Sequence, residues 1–148
     1  MQRVMTTLLV LTIGLMAMFG GQLVSYAQAA EVSGTGTVTA SGSGTAQING
    51  SGTVQVGPGA GIIWVRGDAD IQMDGRGRRT TLPDGTVRIT GWPGTVTVSG
   101  SDIQVRVVGE AIELQANGTG TVRLFGVGTY TVGDVTGEWQ EAGVSVNF

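Results

Sequence analysis

Few residues in this chain are of a type and spacing that could do chemistry. Asp68, Asp70 and Asp74 are its densest carboxylates. Asp68 and Asp70 stand two apart, so on a strand they point the same way and could share a hard cation such as Ca2+. The run Asp-Ala-Asp-Ile-Gln-Met-Asp-Gly from Asp68 lacks the ligand rhythm of an EF-hand loop. The alternative is a solvated strand face that ends in a turn at Asp74-Gly75. Arg76, Arg78 and Arg79 form a basic knot in an acidic chain. Such a knot can take a phosphate or an acidic sugar, or it can be a solvated loop paired with Asp68, Asp74 or Asp84. Trp92 and Trp139 lie in glycine-rich, turn-like sequence. An indole there either stacks on a sugar and anchors an interface, or plugs the end of a β core.

What is missing narrows the chemistry further. The chain has no His, Cys or Lys, so nucleophile–histidine triads, lysine Schiff bases and thiolate-ligated metals are excluded. Paired carboxylates, as in glycoside hydrolysis, remain open, with Glu110/Glu113, Glu138/Glu141 and the Asp trio as candidates. Glu110 and Glu113 are three apart, which puts them on opposite faces of a single strand. The plainer expectation is a solvated pair around an inward Ile112, with Glu113 matched across strands to Arg106 or Arg123. No residue is assigned a catalytic role, and no cofactor is expected beyond the candidate Ca2+. The formal charge is −3, a poor match to nucleic acid, whose backbone is bound by surplus Lys and Arg.

The elements that must position these residues read as strands. Apolar and polar residues alternate in short runs, such as Val54/Val56, Val87/Ile89, Ile103/Val105/Val107, Val122/Leu124 and Val144/Val146. Period two marks half-buried strands, and Thr and Val suit them. Between the runs stand glycine-rich turns. The pattern is clearest at Gly50-Ser51-Gly52-Thr53-Val54-Gln55-Val56, with looser copies at Gly34-Thr35-Gly36, Gly42-Ser43-Gly44 and Gly118-Thr119-Gly120. The inward positions recur every eight or nine residues, as in Val38, Ala46 and Val54.

The expectation is a single all-β domain over residues 30–148 with about ten short strands. Repeats this short, with glycine at the corners, favour a β-solenoid or β-helix whose rungs need neighbours to bury their faces. An antiparallel sandwich or small barrel is the alternative. Parallel ladders would mark the solenoid and antiparallel ladders the sandwich. Pro83-Asp84-Gly85 predicts a hairpin excursion over residues 75–86. The unbroken apolar run Ile62-Ile63-Trp64-Val65 suggests a strand covered on both faces, with that excursion as its cover.

Residues 1–29 read as a secretory signal peptide: Arg3, an apolar run over residues 8–19, and Ala27-Gln28-Ala29 before a cleavage site at Ala30. An uncleaved anchor is the alternative, although the run is shorter than the roughly 20 residues of a spanning helix. The expected location is therefore periplasmic, cell-surface or secreted, with no membrane contact after cleavage. Val144-Ser145-Val146-Asn147-Phe148 resembles the last strand of an outer-membrane barrel, but the strands are short and aromatics few. Thr-x-Thr pairs at Thr95/Thr97, Thr119/Thr121 and Thr129/Thr131 suggest an ice-binding array. Gln, Arg and Glu on other rungs break it.

The Gly-Ser-Gly or Gly-Thr-Gly followed by an apolar strand, at Gly42-Ser43-Gly44, Gly50-Ser51-Gly52, Gly34-Thr35-Gly36 and Gly118-Thr119-Gly120, resembles the bacterial head GIN-domain proteins. These are exported β-helix proteins regarded as adhesins. The segment from Trp64 to Pro93 departs from that pattern. The resemblance implies an exported adhesin-like surface and no catalytic site. The sequence thus favours a non-enzymatic surface or matrix protein that meets an extracellular glycan or protein. A polysaccharide-binding or polysaccharide-cleaving β-helix is the alternative, and self-association through open strand edges a third reading.

Overall fold

The computed structural model describes residues 31–33 and 36–148, and the signal peptide read at 1–29 lies outside them. The described residues contain strands and no helix: β1 (Glu31–Ser33), β2 (Thr37–Val56), β3 (Gly59–Met73), β4 (Arg78–Thr81), β5 (Val87–Trp92), β6 (Val96–Val132), β7 (Val135–Glu138) and β8 (Val144–Asn147). All eight belong to one sheet. The fold is all-β. Every strand pair is antiparallel except β1 with β8.

Two strands are far longer than the short runs expected. β2 spans 20 residues and β6 spans 37. The glycine corners do not end the strands. They bend a ladder that continues through them, so expected neighbours such as Val38, Ala46 and Val54 lie on one strand. β6 lies on both sides of β2. Val38 pairs with Ala116 and Val132, Ile48 with Val105 and Val122, and Val56 with Val96 and Leu114. β3 pairs with the first part of β6 along its other edge, from Ala60↔Glu110 to Met73↔Val96.

The corners align across strands. Gly42 pairs with Gly128, Gly44 with Gly126, Gly50 with Gly120 and Gly52 with Gly118. The serines between these glycines have a task of their own. Ser51 Oγ accepts the Asp102 N–H at 3.1 Å, and Ser43 Oγ accepts the Ala111 N–H at 3.3 Å. Asp102 and Ala111 are the two non-glycine residues with φ of 53°. Each Gly-Ser-Gly corner of β2 therefore braces a left-handed residue where β6 turns beside it.

Inward side chains from both sides of every corner meet in one core. Ile48, Ile63, Ile103, Val105, Val122 and Leu124 are among its fully buried members. β4 and β5 form the expected hairpin. Its turn is closed by the Leu82 N–H donating to the Thr86 carbonyl and the Gly85 N–H donating to that of Leu82. The hairpin joins the sheet edge through β5 and β3 instead of lying over the strand as a cover. In that strand Ile63 and Val65 are buried, while Trp64 points outward and is half-buried.

Candidate binding groove

The outward side chains of the sheet segment around Trp64 form a groove of about 500 Å³. Its floor is set by strand register. Trp64 stands opposite Arg88 on one side and Arg106 on the other. Arg106 stands opposite Gln47, and Gln47 opposite Arg123. Residues directly opposite in an antiparallel pair share a face, so Arg88, Trp64, Arg106, Gln47 and Arg123 form one row across five strand segments. The next row carries Arg66, Gln104 and Asn49.

The hairpin builds one wall, from Leu82, Asp84 and Thr86. Arg66 ties that wall to the floor. Its Nη2 donates to Asp84 Oδ2 at 2.7 Å and its Nε to Thr86 Oγ1 at 2.9 Å. The Thr86 N–H and hydroxyl each donate to Asp84 at 3.0 Å. The Thr86 N–H, then Arg66 and the Thr86 hydroxyl, bring the Asp84 pKa down to about 2, so the carboxylate is ionised at neutral pH. The Arg106 guanidinium lies over the Trp64 ring at 5.5 Å from its centroid, a cation–π contact.

No family model, curated protein or solved structure matches this chain. The groove is therefore read from its own side chains: an indole, guanidinium groups, and the amides of Gln47, Asn49 and Gln104. Aromatic faces stack on apolar ring surfaces, amides both donate and accept hydrogen bonds, and guanidinium groups take oxyanions in forked pairs. That inventory suits recognition. Asp84 is the groove's sole carboxylate and is already engaged, whereas glycoside hydrolysis uses two.

The residues singled out in the sequence lie elsewhere. Trp92 is 3% exposed and Trp139 5%. Their indole N–H groups donate to the Gly57 carbonyl at 2.6 Å and the Thr129 carbonyl at 3.0 Å. Both rings are core residues, the plug alternative, and neither offers a face to a ligand. Arg78 and Arg79 lie exposed on edge strand β4, and Arg76 in the loop before it. Among the described residues the one ion pair joins Arg66 and Asp84, so the expected partners of the knot, Asp84 included, are not paired with it. Asp68 and Asp70 face Ser101 and Ser99 across β3 and β6, and Asp74 follows β3. Among the described residues no three acidic side chains gather in a metal-binding group. Glu113 stands opposite Ser41, separated from Arg106 and Arg123 by the corner at Glu110-Ala111.

On the other side of those corners the outward residues are of different chemistry. One row there runs Thr131, Thr39, Gln115, Gln55, Thr97, and continues into Gln72 at Thr97. A shallow trough of about 360 Å³ lies along it, lined also by Glu113. This surface has neither an exposed aromatic nor a guanidinium, which leaves the Trp64 groove as the better-equipped site. Sequence reasoning missed that groove because its residues come from β2, β3, β6 and the turn between β4 and β5. The available signal was an outward Trp and Arg at alternate positions in Trp64-Val65-Arg66 and Gln104-Val105-Arg106.

Proposed function

We propose that this chain is an exported, non-enzymatic surface or matrix protein of the adhesin-like kind, which binds an extracellular glycan through the Trp64 groove. The observation that carries this reading is the groove itself: a half-exposed indole flanked by arginines and amides on a rigid sheet, without a second carboxylate to cleave what it holds. Sites built on strands keep their geometry better than sites built on loops.

The antiparallel ladder is the one expected of a sandwich, not the parallel ladder expected of a solenoid, but its double pairing also fits a solenoid-like winding. Most β2 residues have two β6 partners about two repeats apart, as Val38 has in Ala116 and Val132, which is what results when two antiparallel arms wind round a common core. The corner glycines that resemble the head GIN-domain pattern sit where such a coil must bend. An antiparallel sandwich with continuous strands is the competing description.

The test is a glycan array probed with the protein lacking residues 1–29, alongside the Trp64→Ala variant. Binding that falls at least tenfold in the variant supports the reading. Binding to no glycan, or binding that Trp64→Ala leaves intact, overturns it. Cell fractionation that finds the protein in the cytoplasm would overturn the exported part.

A further inference from the structure

We infer that the ligand of this groove is a linear anionic glycan, carboxylated or sulfated, laid across the strands along the row Arg88–Trp64–Arg106–Gln47–Arg123. The inference rests on the glycan-binding reading above and names its substrate class.

Three observations carry it. The first is charge segregation. The chain is acidic overall, yet neither the Arg88–Trp64–Arg106–Gln47–Arg123 row nor the adjoining Arg66–Gln104–Asn49 row contains an Asp or Glu, and the exposed Asp102 and Glu110 of β6 stand at the corners that bound this part of the sheet. Asp84, on the hairpin, is bound to Arg66. Across the corners the outward positions carry Asp70, Glu113 and Glu138 and no arginine. Arg66, Arg88, Arg106 and Arg123 are thus gathered on one face of the sheet, while the face across the corners is neutral to acidic.

The second observation is that, among the described residues, the cations of the row have no carboxylate partner, Arg106 lying only against the Trp64 ring. Among the described residues Arg88, Arg106 and Arg123 make no ion pair, and all three are exposed. A guanidinium with no internal carboxylate keeps its forked donors for an external oxyanion.

The third is spacing. Neighbouring strands are about 4.8 Å apart, so arginines on every second strand stand about 10 Å apart along the row. Between Arg88 and Arg106 lies Trp64, and between Arg106 and Arg123 lies Gln47. The row therefore alternates a cation with a stacking or hydrogen-bonding group. It matches a polymer with charge on alternate units and a neutral ring between them. Nucleic acid carries a charge every 3.4 Å or so along each strand, a denser series than this row repeats. The amides of Asn49 and Gln104 in the adjoining row suit sugar hydroxyls.

The experiment is titration calorimetry with hyaluronate and kappa-carrageenan, which carry one carboxylate or one sulfate per disaccharide, and with neutral dextran and oligothymidylate of matched length. Expected is binding of the carboxylated or sulfated polymer at least tenfold tighter than neutral dextran, weakening steadily from 50 to 300 mM NaCl as charges are screened (roughly). Arg88→Gln, Arg106→Gln and Arg123→Gln should each weaken it about tenfold, with Arg106→Lys less affected than Arg106→Gln. Thr39→Ala, on the opposite face, should bind as the parent does. Circular dichroism of each variant separates lost binding from lost folding.

Equal affinity for neutral and charged glycans would overturn the inference while leaving the glycan-binding reading standing. Oligothymidylate bound tighter than both anionic glycans would overturn it in favour of nucleic acid. If only one anionic polymer binds, the result supports the inference and identifies carboxylate or sulfate as the recognised group.

Discussion

Gly44 and Gly126 face each other at a corner of the sheet so closely that neither can carry a side chain. A Cβ on Gly44, whose φ is +137°, would run into the Phe125 carbonyl, and one on Gly126 would run into that of Ser43. The contact atoms are backbone, so no side-chain rotation relieves them. Gly44→Ala and Gly126→Ala should each lower unfolding stability by about 3 kcal/mol or more, the sum of an unfavourable φ and overpacking. Gly85→Ala is the control. Its φ is +84° but nothing lies within 4 Å, so it should cost only the conformational penalty of about 1–2 kcal/mol. Urea denaturation of the three variants measures the difference, and equal losses would show that corner packing is not what these glycines provide.

The serines of the same corners act through hydrogen bonds. Ser51→Ala removes the acceptor of the Asp102 N–H and should cost about 1 kcal/mol. The strained partners offer the opposite effect. Ala111→Gly relieves a left-handed alanine, a gain of roughly 1–2 kcal/mol that the flexibility of glycine in the unfolded chain offsets by about 0.5–1 kcal/mol. A modest rise in Tm is expected. A fall would show that the Ala111 methyl is worth more than the strain.

The Asp84 network predicts an acid transition with a defined sign. The folded pKa lies near 2, below the ordinary 3.8. The folded state therefore binds this proton less readily than the unfolded chain does. Its stabilisation is fully present above about pH 4 and fades as pH falls towards 2. In Asp84→Asn that contribution should be missing at pH 6, and the two stability curves should converge by pH 2. Parallel curves over the whole range would show that the carboxylate is not thermodynamically coupled to the fold.

The tryptophans should separate stability from binding. Trp92→Ala empties a core position and should cost about 3–5 kcal/mol. Trp92→Phe keeps most of the ring but loses the bond to the Gly57 carbonyl, at about 1 kcal/mol. Trp64→Ala should cost less stability than Trp92→Ala, because Trp64 is only partly buried. Thermal melts combined with the glycan array test this division, and a Trp64→Ala melt as low as that of Trp92→Ala would assign Trp64 to the core instead.

By itself the sequence determined the all-β class, the inward residues and the hairpin. These follow from local rules: alternation puts Val54 and Val56 on one side, and Pro83-Asp84-Gly85 can turn a chain without outside help. The corner motifs were also visible, but not their purpose. Gly44 needs to be glycine because Gly126 and the Phe125 carbonyl come against it, and no local pattern names a partner more than eighty positions away. The same limit hid the groove. Arg88, Trp64, Arg106, Gln47 and Arg123 are ordinary outward residues of separate strands, and each reads as a solvated position. The local clusters that drew attention, the Asp trio and the Arg76 knot, stayed apart because a strand spreads its neighbours along its length. Only the antiparallel register, fixed by non-local backbone hydrogen bonds and by one shared core, could align the five into a row.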